Sequence, residues 1–579
     1  MDKKNSGSDN VIDKNVVDKI ASYDSSGIGA NIANIAKQNF SHDSMGEMNT
    51  YLDQVAKKYD EIKYRDPVGF FANTSPAYLF GIARLFGLQT KNKVRYLEIG
   101  CGSGSNITTI AQSMPDSEFV SIDLSSKSIQ EGKEYAAQLN LKNLEFHVQS
   151  FTEITEKNLG KFDIITAHGL FSHIRPELRN EFFKRVKDCL AKDGLFYINY
   201  NVSPGWHMAS PIIECLNLIT KNVSDEQEKQ NRVISYLKSA SEIFANQKTP
   251  YAMAMMQEIN HLMSKSYGYL FHNYLEQYSI NFLDICSMSN NHGMQYLSET
   301  NLNMLIVKDR VPKEVSELDN LLQQQCYLDV FTGNRFRSSI FVNADISINR
   351  NITINSIKEP NLYFLCNLNP VGGNDVLSKE NIISNNEIRF SLGNTDQQVF
   401  HTNPIIKACL AAISKFKWHS VDLETAAKNI AEEYEFEIAK VEENLSFLIQ
   451  NYLFSGVILP IYNLSWKYQE TIAPQPKLNN FALVQLNKNL DYVIGSSYNV
   501  IQLDLVSKNI LLNCNGNNSI KNLEDLLLEE FKRGNISCNI ENKETKVVRA
   551  MTNQEAQDTI PSWVTNYLTL ANLNGLLCN

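Results

Sequence analysis

The amino-acid sequence predicts an α/β chain built on a doubly wound parallel sheet, followed by smaller α+β units. Three observations carry that expectation. Between residues 94 and 200, strand-length apolar runs alternate with amphipathic helical stretches, the pattern of right-handed β-α-β crossovers. One strand contains Glu98 near its end and is followed by Gly100, Gly102 and Gly104 at alternate positions, then by a helix. The next strand closes on Asp123, 19 residues beyond Gly104, where a carboxylate faces a ligand held by the glycines.

With 579 residues the chain is too long for one hydrophobic core. Residues 1–45 are polar, without the apolar stretch of a signal peptide, and are expected to form a mobile tail. A helical pattern from Asn49 to Asp60 leads into an aromatic loop punctuated by Pro67, and Ser75 is placed to cap a helix opening at Pro76. Strands are expected at Arg95–Ile99, Phe119–Ile122, Glu145–Val148, Asp163–Ala167 and Leu195–Tyr200, making residues 46–210 the core. Pro211–Gln247 and Ala252–Lys265 have charged helical faces, so 211–278 reads as an insertion over the carboxyl ends of the strands. A helix near Asn281–Gly293 and the strand-like Met294–Glu299 close the core within 279–320. Residues 321–400, with the stretch FTGNRFRSSIFV, are expected as an α+β middle domain. Three helical stretches and SGVILPIY make 401–465 a winged-helix-like module, and 466–579 remain as a C-terminal α+β module.

Composition narrows the function. The chain is 43% hydrophobic and 20% charged with a formal net charge of −10, and no dense Lys/Arg run offers a phosphate-binding surface. Nucleic acid is therefore excluded as a partner, and the acidic EEYEFE stretch makes the winged-helix-like module a protein-contact or structural unit. Ten cysteines without a C-x-x-C or a zinc-type spacing imply reduced thiols, no metal and a cytoplasmic location. No apolar run reaches the roughly 18 residues that would suggest membrane insertion.

In an open parallel sheet the ligand lies beyond the carboxyl ends of the strands. Ser105 stands where the third glycine of a dinucleotide fingerprint belongs, so the pattern is E-x-G-x-G-x-G. With Asp123 it resembles motif I and the acidic loop of class I S-adenosylmethionine-dependent methyltransferases. That resemblance implies a seven-stranded sheet and S-adenosylmethionine as cofactor. Glu98, Gly100, Cys101, Gly102 and Gly104 then lie along its methionine and ribose portions, and Asp123 with Leu124 at the ribose hydroxyls. Ser150 is a polar partner and Phe151 a stacking face for adenine, with His168 beside the sulfonium. The AHGLF stretch lacks the D/N-P-P-Y/F clamp of nucleobase amino-methyltransferases, which removes nucleic-acid amino groups as acceptors.

A narrower resemblance rests on YDEIKY, TSPAYLFGIARLFGL, YLEIGCGSGSN, HGLFSHI, INYNVSPGWHM, FHNYLEQ and HGMQYLSE, in that order. These segments resemble class I methyltransferases with a methyltransferase regulatory domain, including the rickettsial protein-lysine methyltransferases of outer-membrane protein B. The family's HG-x-x-SWVP has His173 in place of tryptophan here, with Arg175 before the proline. The resemblance implies a lysine-bearing protein as methyl acceptor. A lysine must lose its proton before it attacks, and an aromatic channel favours that loss. Tyr64, Phe70, Phe71, Tyr200 and Trp206 are the aromatic candidates, with Tyr64, His168 and Trp206 as the catalytic ones, and His272 and Glu276 share a helical face. A small-molecule methyltransferase and a cofactor-binding effector without turnover stay open as alternatives. The insertion fits a homodimer contact and a solvated face equally well.

Overall fold

The computed structural model describes residues 42–61, 72–275, 277–366, 368–392, 397–415, 423–462, 471–487, 491–495, 500–541 and 548–578. Strands β1 (Arg95–Ile99), β2 (Glu118–Asp123), β3 (Leu144–Val148), β4 (Phe162–Ala167), β5 (Leu190–Asn201), β6 (Met294–Glu299) and β7 (Phe336–Asn343) form one seven-stranded sheet. Its order is β3-β2-β1-β4-β5-β7-β6. The first five strands run parallel, and β7 lies antiparallel between β5 and β6. The chain winds outward from β1 to β3 and then restarts beside β1 at β4, so the crevice opens between those two strands.

Strand alternation divides the side chains between two cores. Tyr96, Phe119, Ile164, Tyr197 and Ile340 face the helices Pro76–Leu85, Ser105–Ser113 and Ser126–Gln138, represented by Leu79, Ile107 and Ile129. Leu97, Val120, Ile165, Phe196 and Phe341 face the helices Arg179–Cys189 and Phe282–Asn291. On that second face Phe182, Phe183 and Phe196 stack edge to face, with Phe183 at 87° and 90° to its two neighbours. Burying each such ring stabilises the helix on the sheet by about 1.5–3 kcal/mol. Pro76 begins its helix because Ser75 accepts the Tyr78 N–H at 3.2 Å.

The insertion leaves the sheet and returns at one point. Val202 bridges Ile280, with Ser203 N donating to Ile280 O at 3.1 Å and Ile280 N to Asn201 O at 3.0 Å. Between them run helices Ser210–Thr220, Glu226–Ala245, Pro250–Met263 and Tyr267–Asn273 around a core of their own.

The domain boundaries drawn from the sequence need three corrections. The expected tail to residue 45 overlaps the helix His42–Glu61, and its residues 1–41 lie outside the described ones. The boundary at 320 is wrong because β7 completes the sheet, preceded by helix Leu321–Thr332. Arg337 on β7 locks it there: fully buried, it donates to Glu299 Oε1 at 2.8 Å and to Asp329 Oδ2 at 2.9 Å. Burial alone would lower its pKa, but the two carboxylates outweigh that and hold it raised.

The boundary at 400 also divides a single unit. Helices Pro404–Lys415, Leu423–Tyr434 and Ile438–Ser455 do lead to a strand, Ile458–Tyr462. That strand pairs antiparallel with Leu362–Cys366 of the expected middle domain, in place of a wing hairpin. The combined unit packs on helix Pro76–Leu85, with Phe80 edge-on to Tyr462. Residues 478–577 close a separate core. Among the described residues no helix is long and apolar enough to cross a membrane.

Candidate functional site

The crevice begins at the glycine loop. Gly100, Gly102 and Gly104 all have positive φ, at 77°, 53° and 70°, a region costing L-residues about 1–2 kcal/mol each. Gly100 N and Cys101 N both donate to Ile122 O, at 2.9 and 3.2 Å, which fastens the loop to the end of β2. A Cβ on Gly104 would lie 2.3 Å from the Phe146 ring, whereas one on Gly102 would meet nothing within 4 Å. Gly102 therefore presents bare backbone to open space, the form a ligand cradle takes.

Asp123 closes the loop from below. Its Oδ2 accepts Gly102 N and its Oδ1 accepts Ser125 N, both at 2.8 Å. Burial raises this carboxyl, while the N–H groups of Ser125, Gly102 and Leu124 pull the other way. Each oxygen has a further lone pair for a ribose hydroxyl. Glu98 is deeper, 3% exposed, with Oε1 accepting Asn106 Nδ2 at 2.6 Å. Among the described residues its Oε2 has no partner, and burial pushes its pKa up to about 8. The Cys101 thiol is pushed up by burial and by Asp123 and Glu98, so it stays protonated. The bare Gly102 backbone, the remaining capacity of Asp123 and the orphaned Glu98 oxygen fit a cofactor bearing a ribose and an amino-acid tail.

The adenine corner differs from the sequence expectation. Ser150 Oγ caps the short turn Phe151–Glu153, accepting Thr152 N at 3.1 Å and pairing with Thr152 Oγ1 at 2.8 Å. That cap turns Phe151 inward, where it is buried edge-on against Phe182 at 5.4 Å and offers no open stacking face. Leu124 and Gln149, half-buried, and Val148, exposed, are the side chains left at this corner.

Across the crevice, β4 ends at Ala167 and His168 follows. Its Nδ1 lies 2.9 Å from Tyr197 Oη, and the two rings are parallel within 10°. Burial pushes His168 down to about 3, so the imidazole is neutral at physiological pH. Tyr197 Oη also receives Asn73 Nδ2 at 3.1 Å. Tyr96 Oη donates to Thr74 O at 3.1 Å, and Thr74 Oγ1 to Asn106 Oδ1 at 3.2 Å. The turn Ala72–Thr74 is thus pinned on both halves of the crevice at once.

Other candidates fall elsewhere. Tyr64, Phe70, Phe71 and Glu276 lie outside the described residues. Trp206 does not line a channel: it is buried in the insertion's core, tilted on Tyr274 at 5.0 Å. Tyr200 is a core residue whose hydroxyl pairs with Ser339 Oγ at 2.9 Å. His272 is buried beside Tyr59, on a helix that ends at Asn273. Sequence reasoning missed Tyr197 and Asn199, whose signal was the polar alternation in Tyr197-Ile198-Asn199-Tyr200-Asn201.

Family profiles match along most of this architecture. A "Methyltransferase domain" covers residues 90–273, a "Predicted methyltransferase regulatory domain" 266–343, and a "PKMT, C-terminal winged helix domain" 475–576. The regulatory profile falls on β6, helix Leu321–Thr332 and β7, the last part of the sheet. The winged helix lies at 475–576, not at the expected 401–465. Rickettsia prowazekii uncharacterized protein RP789 is 28% identical over 509 residues, covering 84% of this chain and 89% of that protein. Uncharacterized protein RP028 of the same organism is 31% identical over 219 residues, 38% of this chain and 86% of that protein. PKMT2 from Rickettsia typhi, solved in complex with AdoHcy, superposes with a TM-score of 0.77 at 23% identity, over 88% of this chain and 99% of that one. The last likeness establishes the fold.

Proposed function

The chain belongs to the S-adenosylmethionine-dependent methyltransferases that carry a regulatory domain and a PKMT-type winged helix, and from that premise we propose that it methylates lysine side chains of a protein. What supports the protein acceptor is the extent of the likeness: it runs through the insertion and the PKMT winged helix, well beyond the cofactor fold. An outer-membrane protein is the target class carried over from the family resemblance.

Bound S-adenosylmethionine supplies an electrophilic methyl group on a sulfonium. The glycine loop and Asp123 would hold it on the β1–β2 side, and the β4–β5 side would then be left to the acceptor. A lysine amine ordinarily titrates near 10.4, so its neutral form costs about 4–5 kcal/mol at pH 7. His168, held neutral with its Nδ1 on Tyr197, is a positioning group and not the base for that proton. The proton leaves to solvent as the amine enters, because desolvation disfavours the charged ammonium form.

The test is incubation with methyl-labelled cofactor and fractionated lysate. Base-stable label on lysine of a protein is expected; label confined to small molecules would overturn the protein acceptor. We further propose that the enzyme works in the cytoplasm without nucleic acid. The insertion serves self-association through the exposed Leu218, Ile243, Tyr251 and Met253, and a monomer in sedimentation equilibrium would refute that.

A further inference from the structure

The carboxyl end of the sheet holds one buried donor that no described group of the chain engages. In register, Glu98 of β1 stands opposite Thr166 of β4, and Thr166 opposite Tyr197 of β5. Two residues further along each strand direction come Gly100, His168 and Asn199, and Asn199 stands opposite Ser338 of β7. Side chains two apart on a strand share a face, so Asn199 belongs to the same polar row as His168 and the cofactor loop.

Asn199 is 2% exposed. Its Oδ1 accepts Gly169 N at 2.6 Å, and since a main-chain N–H can only donate, the amide orientation is fixed. Its Nδ2 is then the remaining group, and among the described residues nothing accepts from it. Buried amide groups in folded chains nearly always have a partner, so this one is waiting for an acceptor atom. Space exists in front of the loop it holds: Gly169 has a φ of 69°, and a Cβ there would meet nothing within 4 Å.

Position decides whose atom that is. The cofactor loop follows β1, His168 follows β4, and Asn199 lies near the carboxyl end of β5, one strand further from the glycines. We propose that Asn199 is a binding residue for the methyl acceptor, its side-chain N–H groups donating to an acceptor oxygen, a main-chain carbonyl when the acceptor is a polypeptide. A donor placed on the reacting nitrogen would withhold the lone pair that attacks, so the amide serves a neighbouring oxygen. The proposal rests on the methyl-transfer reading above and does not depend on the methylated group being lysine.

Two variants separate the hydrogen bonds of Asn199. N199D keeps an oxygen for Gly169 and loses the donors; N199A loses both. In each, AdoHcy affinity by calorimetry should stay within about twofold of the wild type. With the protein fraction that takes label in the assay above as acceptor, KM should rise about tenfold and kcat should hold. A KM rise in N199A alone would show that only the Gly169 tether matters and overturn the proposal. Weaker AdoHcy binding with unchanged KM would assign the oxygen to the cofactor's carboxylate and overturn it equally. In the wild type, the Asn199 side-chain 15N resonance, assigned by its absence in N199A, should shift with that protein fraction and not with AdoHcy. An unmoved resonance refutes the proposal without reliance on N199D folding. Label on a group other than lysine, with the same KM rise, refutes the lysine reading and leaves Asn199 in place.

Discussion

On the β1–β2 side of the crevice the chain arranges main-chain N–H groups and left-handed glycines around Asp123, whereas on the β4–β5 side it arranges the imidazole, phenol and amide groups of His168, Tyr197 and Asn199. The first half tolerates many side chains but not a Cβ in the wrong place. The second tolerates backbone variation but depends on particular polar atoms, and on β7 for support. On the reading proposed above, a cofactor common to many enzymes would be met by backbone and an acceptor particular to one by side chains.

The largest test of that contrast is R337M. It strands Glu299 and Asp329 without their guanidinium in a fully buried place, and should destabilise the fold by about 3–5 kcal/mol in denaturant titration. If the halves are as separable as described, folded R337M should still bind AdoHcy normally by calorimetry. A loss of binding in the folded protein would break the comparison.

Next is the pair G104A and G102A. Both strain a left-handed residue, but only at Gly104 does the new methyl drive into the Phe146 ring. G104A should lose about 2–4 kcal/mol and AdoHcy binding with it, against about 1–2 kcal/mol for G102A. Equal melting temperatures would mean that Phe146 yields and that the close approach is not what selects glycine.

The third uses pH. Burial holds the Glu98 carboxyl up at about 8, above its unfolded value, so its contribution is whole below the unfolded pKa and is lost as pH rises through about 8. The loss runs at roughly 1.4 kcal/mol for each pH unit between those values. E98Q, which cannot ionise, should therefore gain stability relative to the wild type between pH 6 and pH 8. Parallel melting curves across that range would show that Glu98 is charged in the fold. The smallest effect belongs to Y197F, which removes the hydroxyl between His168 and Asn73 and should cost about 1 kcal/mol. It should change the His168 15N shifts, while AdoHcy affinity stays the same.

The same contrast explains what could be read from the sequence. Glu98, the three glycines and Asp123 lie within 26 consecutive residues, and their chemistry is backbone geometry that glycine spacing encodes directly. The strands β1 to β5 followed from local alternation for the same reason. β7 did not, because its partners β5 and β6 lie well upstream and only three-dimensional pairing joins them. Phe151 and Trp206 look alike in sequence whether they face a ligand or a core, and it was Ser150's cap and Tyr274's ring that decided. Three helices and a strand fit many small domains, and the pairing of Ile458–Tyr462 with Leu362–Cys366 decided against the expected winged helix.

The bridge between Val202 and Ile280 has a practical corollary. The ends of the excursion are tied there, and the Gly205 N–Asn334 O bond and the Arg335–Glu258 ion pair hold it further to the segment that leads into β7. Closure entropy grows only with the logarithm of length, so excursions of quite different size can be borne at this point. A helical cassette exchanged at this bridge would have to keep the glycine at 205 and a carboxylate for Arg335, the two points where the excursion also meets the approach to β7.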